Sequence, residues 1–424
     1  MNKIITTAGF AALGVASLHA ADVGSTTINK PWNISATLRG FYDDNYTTSP
    51  KQFARDSFGF EVSPSAGLNI VRDQTTLGLS YVYGMRYYDD RISSKADHSH
   101  QANAKLSHAF SPRYKADLSD SFVIAQEPAV LDPTAVVTVP LRTNGDNIRN
   151  YVTTSFSAGL TENLTAVLGY SNTYYDYEQE GFSFGQASRS ALLDRFEHLI
   201  SLNLRYQILR TTVGVAGYQF GIVDYTSPEA IGFVGGNPVR ADIRDNTSHY
   251  FYLGVDQMIH ANLNASARVG VQHTEYSNAD RLPGLQTSST GPYADGNITW
   301  TYLRGSYAQI GLRHARNQTD VGFFNGGVNP TLDAESTTVY GSLNHQITGK
   351  LVGSLLGQYQ HSTFEGGLAD GTVDQYYMAG ANLTYEINKF LSAEAGYNYD
   401  HLTSELAFRG YNRNRVYIGI RASY

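Results

Sequence analysis

Period-two alternation of apolar and polar side chains, in segments of roughly ten residues, runs through nearly the whole chain and limits its possible folds more than any other feature. Over 76–88, Leu77, Leu79, Tyr81, Tyr83, Met85 and Tyr87 fall on one face, while Thr76, Gly78, Ser80, Val82, Gly84, Arg86 and Tyr88 fall on the other. Ile34, Ala36 and Leu38 open the series, Phe58, Phe60 and Val62 continue it, and Leu391, Ala393, Ala395, Tyr397 and Tyr399 come near its end. No run approaches the roughly 20 consecutive apolar residues that a membrane helix needs. The pattern predicts strands with one face in an apolar medium and the other against polar groups.

The connections alternate as well. Short polar turns stand at Arg72-Asp73-Gln74, Ser111-Pro112-Arg113, Thr161-Glu162-Asn163, His260-Ala261-Asn262, Thr348-Gly349-Lys350 and Asn388-Lys389. Between them lie long Gly, Pro and Asp-rich stretches at 43–55, 124–147, 176–194, 224–246, 277–295 and 319–334. Short turns on one side and long loops on the other are the asymmetry of outer-membrane barrels. The expected fold is an all-β transmembrane antiparallel barrel of about eighteen strands (sixteen to eighteen), with nine long extracellular and eight short periplasmic connections. The turn near Arg304 to Tyr307 is weakly marked, and the strands near Thr212 and Tyr250 alternate poorly. A soluble protein of several sandwiches would show similar strands, but its edges would stay unpaired in lipid, where only a closed barrel satisfies every backbone group.

Residues 1–20 read as a secretory signal: Lys3 gives a positive start, an apolar stretch of small residues follows, and Ala20 and Ala21 mark the cut. A short lead spans 21–31 and the barrel 32–424. The formal charge of −7 becomes −8 when Lys3, the one charged residue of the signal, is removed. An acidic chain offers no footprint for nucleic acid. The absence of Cys excludes thiolate chemistry and suits passage through an oxidising compartment.

The C-terminal run places Val416, Ile418, Ile420, Ala422 and Tyr424 on one face and Arg415, Tyr417, Gly419, Arg421 and Ser423 on the other. A terminal aromatic after alternating apolar residues is the expected signal for a Gram-negative barrel assembly machinery, a partner along with outer-membrane lipid. The segments SATLRGFYDDNYTTSP, FGFEVSPSAGLNI, LGLSYVYGMRYYDDR and LSHAFSPRYKADLSDSF resemble the β-barrel porin type 2 family, most clearly over 33–175. The resemblance implies an outer-membrane barrel for solute passage or polysaccharide export, with no catalytic residues to carry over.

Sorting faces by hydrophobicity gives inward basic candidates Arg39, Arg86, Lys105, Lys115, Arg149, Arg195, Arg205, Arg268, Arg313, Arg413, Arg415 and Arg421. The inward acids are Glu61, Asp117, Glu197, Asp256, Glu394 and Asp400. The core pore-lining set is Arg39, Glu61, Arg86, Lys105, Arg149, Arg205, Arg268, Arg313, Glu394, Arg415 and Arg421. A lumen richer in Arg than in acids would favour anions, unless these arginines pair with lumen acids and brace the wall. Tyr151, Tyr218, Tyr340, Tyr376 and Tyr417 are candidates to stack on sugars, whereas Trp32, Tyr42, Tyr170, Tyr385 and Tyr424 belong to interface girdles. Two loops, GFVGGNP (232–238) and GFFNGGVNP (322–330), could fold inward as a constriction, although turn chemistry alone explains both.

Rim acids Asp43-Asp44 and Asp89-Asp90, with His98, His100 and His108 near the second pair, could activate water. No Ser-centred motif, P-loop or dinucleotide fingerprint occurs, and the zinc-like spacing of His98 and His100 lacks further ligands. The chain therefore reads as a non-enzyme with no cofactor or metal. The expected function is a water-filled pore for polar solutes such as saccharides or small anions. The alternatives are a polysaccharide export barrel with periplasmic partners and a structural or adhesive barrel.

Overall fold

The computed structural model describes residues 31–126, 137–142, 145–182, 186–323 and 328–424. The expected signal, nearly all of the lead, and parts of the 124–147 and 322–330 loops lie outside them. In the first half of the chain the strands are β1 (Trp32–Asp43), β2 (Ser57–Arg72), β3 (Thr75–Tyr88), β4 (Ala96–Ala109), β5 (Tyr114–Ala125), β6 (Asn147–Gly159), β7 (Leu164–Tyr177), β8 (Arg195–Leu209) and β9 (Thr212–Tyr225). A small hairpin, β10 (Ala230–Val234) with β11 (Asn237–Arg240), interrupts the series. The second half supplies β12 (Asn246–His260), β13 (Leu263–Tyr276), β14 (Ser288–Leu303), β15 (Ser306–Asn317), β16 (Asp333–Gln346), β17 (Leu351–Glu365), β18 (Val373–Asn388), β19 (Leu391–Ser404) and β20 (Tyr411–Ser423).

Leaving out the hairpin, eighteen strands pair antiparallel with their sequence neighbours, β9 pairs with β12, and β1 pairs with β20 to close the barrel. At the seam Leu38 stands opposite Ile420, and Ile34 and Tyr424 exchange backbone hydrogen bonds of 3.2 and 2.9 Å. The weakly marked turn is real: Leu303 pairs with Ser306 across Arg304-Gly305, and Gly305 takes the positive φ of 75° that such a tight turn needs. The poorly alternating strands near Thr212 and Tyr250 are full members, β9 and β12. Strands of 12 to 16 residues exceed the span of the apolar band, so they carry the wall past the membrane on the long-loop side.

The alternation maps onto outside and inside. Leu253, Val269 and Ile418, all on the outward face, are 67, 64 and 70% exposed, the reverse of a soluble core. Aromatics ring both ends of this band. Trp32 and Phe390 pack on Tyr424 at the short-turn end, with centroids at 5.8 and 6.1 Å, and Tyr42 on Phe58 and Tyr174 on Phe196 at the other, at 4.8 and 4.6 Å. Tyr170, expected in a girdle, instead lies midway along β7 on the outward face, because that strand extends farther than its hydrophobic pattern shows.

On the concave inner side large residues need small neighbours. Inward Tyr252, Tyr340 and Tyr417 lie over Gly217, Gly311 and Gly396, where a Cβ would stand 2.2–2.3 Å from the ring. The apolar cores are confined to the long-loop end. There the helix α1 (Arg189–Leu193), the β10–β11 hairpin and the β11–β12 and β13–β14 connections bury Leu192, Leu193, Ile231, Ile243 and Leu285 against the barrel residues Val223, Tyr225 and Tyr276.

Candidate functional site

One loop crosses the barrel. The connection between β5 and β6 leaves one wall, and its residues 137–142 dock on β17 to β20 across the lumen. Val137 donates its N–H to Gln358 Oε1 at 3.1 Å and accepts from Gln358 Nε2 at 2.7 Å. Gln360 Nε2 donates to the Thr138 carbonyl at 3.0 Å, and the Tyr411 hydroxyl to the Leu141 carbonyl at 2.9 Å. Val137 and Leu141 pack against Tyr376, Met378 and Leu402. The inward glutamines thus satisfy the backbone of a strand-free segment that would otherwise be buried unpaired.

Neither loop expected to fold inward forms this crossing. GFVGGNP is the β10–β11 hairpin, turning at Gly235-Gly236 (φ 57° and 84°), with nothing within 4 Å of a Cβ at either glycine. Its base is anchored in the extracellular cap through Ile231, so turn chemistry accounts for it. In GFFNGGVNP, 324–327 lie outside the described residues, and Gly322 and Phe323 pack against Leu192 and Gly232 of the cap.

Beside the crossing segment is a cavity of about 110 Å³ lined by Arg142, Arg149, Arg189, Arg195, Tyr175, Tyr177 and Asp320, among others. Arg149 and Arg195 come from the inward faces of β6 and β8, Arg142 from the crossing loop, and Arg189 from the start of α1. Gly145 lets the chain pass close, since a Cβ there would meet the Arg189 guanidinium at 2.7 Å. Arg142 is held by the carbonyls of Thr48 and Arg409 at 3.3 and 3.4 Å and lies 4.9 Å over the Tyr411 ring. The acid of the site is already committed: Asp320 takes a forked pair of bonds from Arg409, which also reaches Asp374 at 2.7 Å. Burial opposes ionisation of Asp320, but Arg409, then Arg142 and Arg189, outweigh it and hold the carboxyl at about 2. Burial, and then Arg142, push the Arg189 guanidinium down to about 10, and burial followed by Arg409 lowers Arg142. Arg195 is paired with Glu197 at 2.7 Å, whereas among the described residues Arg142, Arg149 and Arg189 have no carboxylate bonded to them, an arrangement that an anion would relieve.

Elsewhere on the inner wall the barrel is braced by ion pairs. Arg39 joins Glu61 at 3.2 Å and also pairs with Glu394, passing over Gly419, while Arg86 meets Glu61 at 3.1 Å. Asp256 holds Arg205 at 2.8 Å and Arg268 at 2.6 Å. Register puts Lys105, Arg149, Arg313, Arg415 and Arg421 on the same inward face as these residues. Arg421 donates to Ser35 Oγ at 2.8 Å, and Arg313 stands opposite Asp295, an inward acid absent from the sequence reading. Arg313 also interacts electrostatically with Tyr151, Tyr250, Tyr293 and Tyr340 of the inner wall. Tyr376 and Tyr417 point inward as expected. Tyr218 does not: it faces outward and bonds His249 at 2.8 Å, because β9 pairs it with Leu202 and Phe251 of the apolar face.

The rim acids have structural partners. Asp43 turns inward to a fully buried pair with Arg413 at 2.6 Å, and Asp44 caps Asn414 through two bonds of 2.6 Å. Asp90 accepts from the Phe58 N–H at 3.4 Å, while His98 and His100 face outward, bonded to Tyr83 and Tyr81. Among the described residues no group of three or more His, Asp or Glu could hold a metal. Sequence reasoning missed Arg142, Arg189, Asp320 and Arg409, since all lie in loops whose path alternation does not encode.

Residues 238–424 match the family model described as "Putative beta-barrel porin 2". This is the family that the sequence resembles, although the match covers the second half rather than 33–175. Among solved structures, the chain is similar to OccAB4 of Acinetobacter baumannii (11% identity, TM-score 0.44, 93% of this chain and 99% of that one). It is also similar to OpdK of Pseudomonas aeruginosa (12%, 0.42, 93% and 99%) and to a BenF-like porin of Pseudomonas fluorescens Pf-5 (10%, 0.44, 93% and 99%). No protein of curated function matches the chain. The closed barrel, its lipid-facing band and the match of 238–424 to a porin family model together indicate a porin-like barrel seated in the lipid of the outer membrane.

Proposed function

We propose that this porin-like barrel passes small polar solutes and prefers anions to cations at the eyelet beneath its crossing loop. The observation that carries the reading is the convergence of Arg142, Arg149 and Arg189 on one cavity whose acid, Asp320, is already paired with Arg409 and whose fourth arginine, Arg195, is paired with Glu197. Uncompensated guanidinium charge in a narrow, low-dielectric passage raises the local concentration of anions and repels cations. The ion-paired residues elsewhere in the lumen, including Arg39, Glu61, Arg86, Glu394, Arg205 and Arg268, act as a braced, polar pore lining that adds little net field.

The reversal potential of the barrel in a planar bilayer under a salt gradient tests this: it should fall on the anion-selective side, and cation selectivity would overturn it. A second reading, passage of saccharides, draws on the inner-wall tyrosines around Arg313, where Tyr250 and Tyr252 pack on Tyr293 at 5.5 and 5.6 Å. Liposome swelling with graded sugars tests that reading, and separates a solute channel from an export or structural barrel.

A further inference from the structure

Most histidines of the barrel strands gather at one level, whereas His108, His260 and His345 stand at the short-turn end. His98, His198 and His249 lie third or fourth from the long-loop start of β4, β8 and β12, with His100 two residues below His98, and His273 and His314 lie fourth from the long-loop end of β13 and β15. All six belong to the outward face by register, and His361 and His401 extend the level onto β17 and β19. Six of these rings share one kind of Nδ1 contact, while His401 meets the Tyr411 carbonyl through Nδ1 at 3.0 Å and Thr403 through Nε2 at 2.9 Å. Nδ1 of His98, His100, His198 and His249 bonds the hydroxyl of Tyr83, Tyr81, Tyr170 and Tyr218 at 2.7–2.9 Å, and Nδ1 of His273 and His314 bonds Thr290 and Thr337 at 2.7 and 2.8 Å.

A hydroxyl that donates to Nδ1 leaves the proton of a neutral imidazole on Nε2. The tyrosines therefore act as fixed orienters, as outer-shell partners do for metal-bound imidazoles. With the hydroxyl donating, His98, His100, His198 and His249 each keep an N–H donor on Nε2 where the apolar wall gives way to the extracellular loops, the depth of the outer-leaflet headgroups, whereas Nε2 of His273 and of His314 already meets Glu275 and Glu335, both at 3.3 Å.

We infer that this histidine belt binds the phosphate groups of outer-leaflet lipids. The occupant follows from position and chemistry: the surface below is lipid-facing, and phosphate oxygens are the acceptors that a lipid places at this height. A belt that only satisfied its own tyrosines would show no headgroup preference.

The test is native mass spectrometry of the whole barrel in nonionic detergent at neutral pH, with phosphatidic acid or phosphatidylcholine of matched chains. Wild type should retain phosphatidic acid at least about threefold more than phosphatidylcholine, as donor bonds to a charged phosphate would give. The H98Q/H100Q/H198Q/H249Q variant should lose that preference while keeping wild-type conductance. No preference in wild type, or its survival in the variant, overturns the inference. If that variant fails to assemble, Y81F/Y83F, which keeps the rings but removes two orienters, should lower the preference, and an unchanged one counts against it. Millimolar inorganic phosphate should not displace the lipid; if it does, the belt is a free-phosphate site and the lipid assignment falls.

Discussion

Gln358 of β17 grips Val137 from across the barrel, accepting its N–H at 3.1 Å and donating to its carbonyl at 2.7 Å. Each bond contributes about 1 kcal/mol, so Gln358→Leu should raise the undocked population of the crossing loop by about 30-fold. Single-channel recording should show larger, noisier conductance with the barrel intact. Unchanged conductance would mean that the loop does not limit flow.

Two eyelet substitutions should move selectivity in opposite directions. Arg189→Ala removes a charge with no carboxylate of its own and should shift the reversal potential toward zero. Asp320→Asn removes the acid and should shift it further to the anion side, while loosening Arg409. Because the Asp320 carboxyl is held at about 2, its folding contribution is present above the unfolded value near 3.8 and is lost only as pH falls toward 2. Selectivity due to Asp320 should therefore be flat from neutral to mildly acidic pH.

The extracellular cap should respond to pH in the contrary sense. Burial raises Asp194 and Asp245 to about 6, although Asp194 accepts from Ser190 and the Tyr177 N–H, and Asp245 from the Tyr225 N–H. The folded cap then binds more protons than the unfolded chain between about 4 and 6. Its stability is greatest below that window and falls as pH rises through 6. Hydrogen exchange at 188–194 and 241–245 should be slower at mildly acidic than at alkaline pH after correction for the intrinsic rate; equal protection would refute this.

At the closure seam, a Cβ on Gly419 would stand 2.5 Å from the Leu38 carbonyl and 2.7 Å from Arg39. Gly419→Ala should cost about 1–3 kcal/mol through overpacking. The transition from folded to unfolded band on heated gels should fall by several degrees.

Tyr424 is expected to work with Val416, Ile418, Ile420 and Ala422 in recognition by the assembly machinery, and it also stacks on Trp32 and Phe390. Deleting it should lower the yield of assembled barrel in cells more than the thermal stability of the barrel that does form. Equal losses would assign it to packing alone.

What the sequence determined by itself is the wall. Because side chains in a strand alternate with a period of two, Leu38, Leu79 and Ile418 had to share one face and Arg39, Arg86 and Arg415 the other, and turn lengths fixed the strand number and the sidedness. Alternation misled where its signal was weak, as at Tyr218, whose face is decided by pairing with Phe251 rather than by its own polarity. The eyelet was decided only in three dimensions. Arg142 and Gln358 are 216 positions apart, and nothing local requires a loop after β5 to cross to β17. That choice rests on buried backbone groups of 137–141 finding partners on the far wall, a long-range condition that appears only once the barrel has closed.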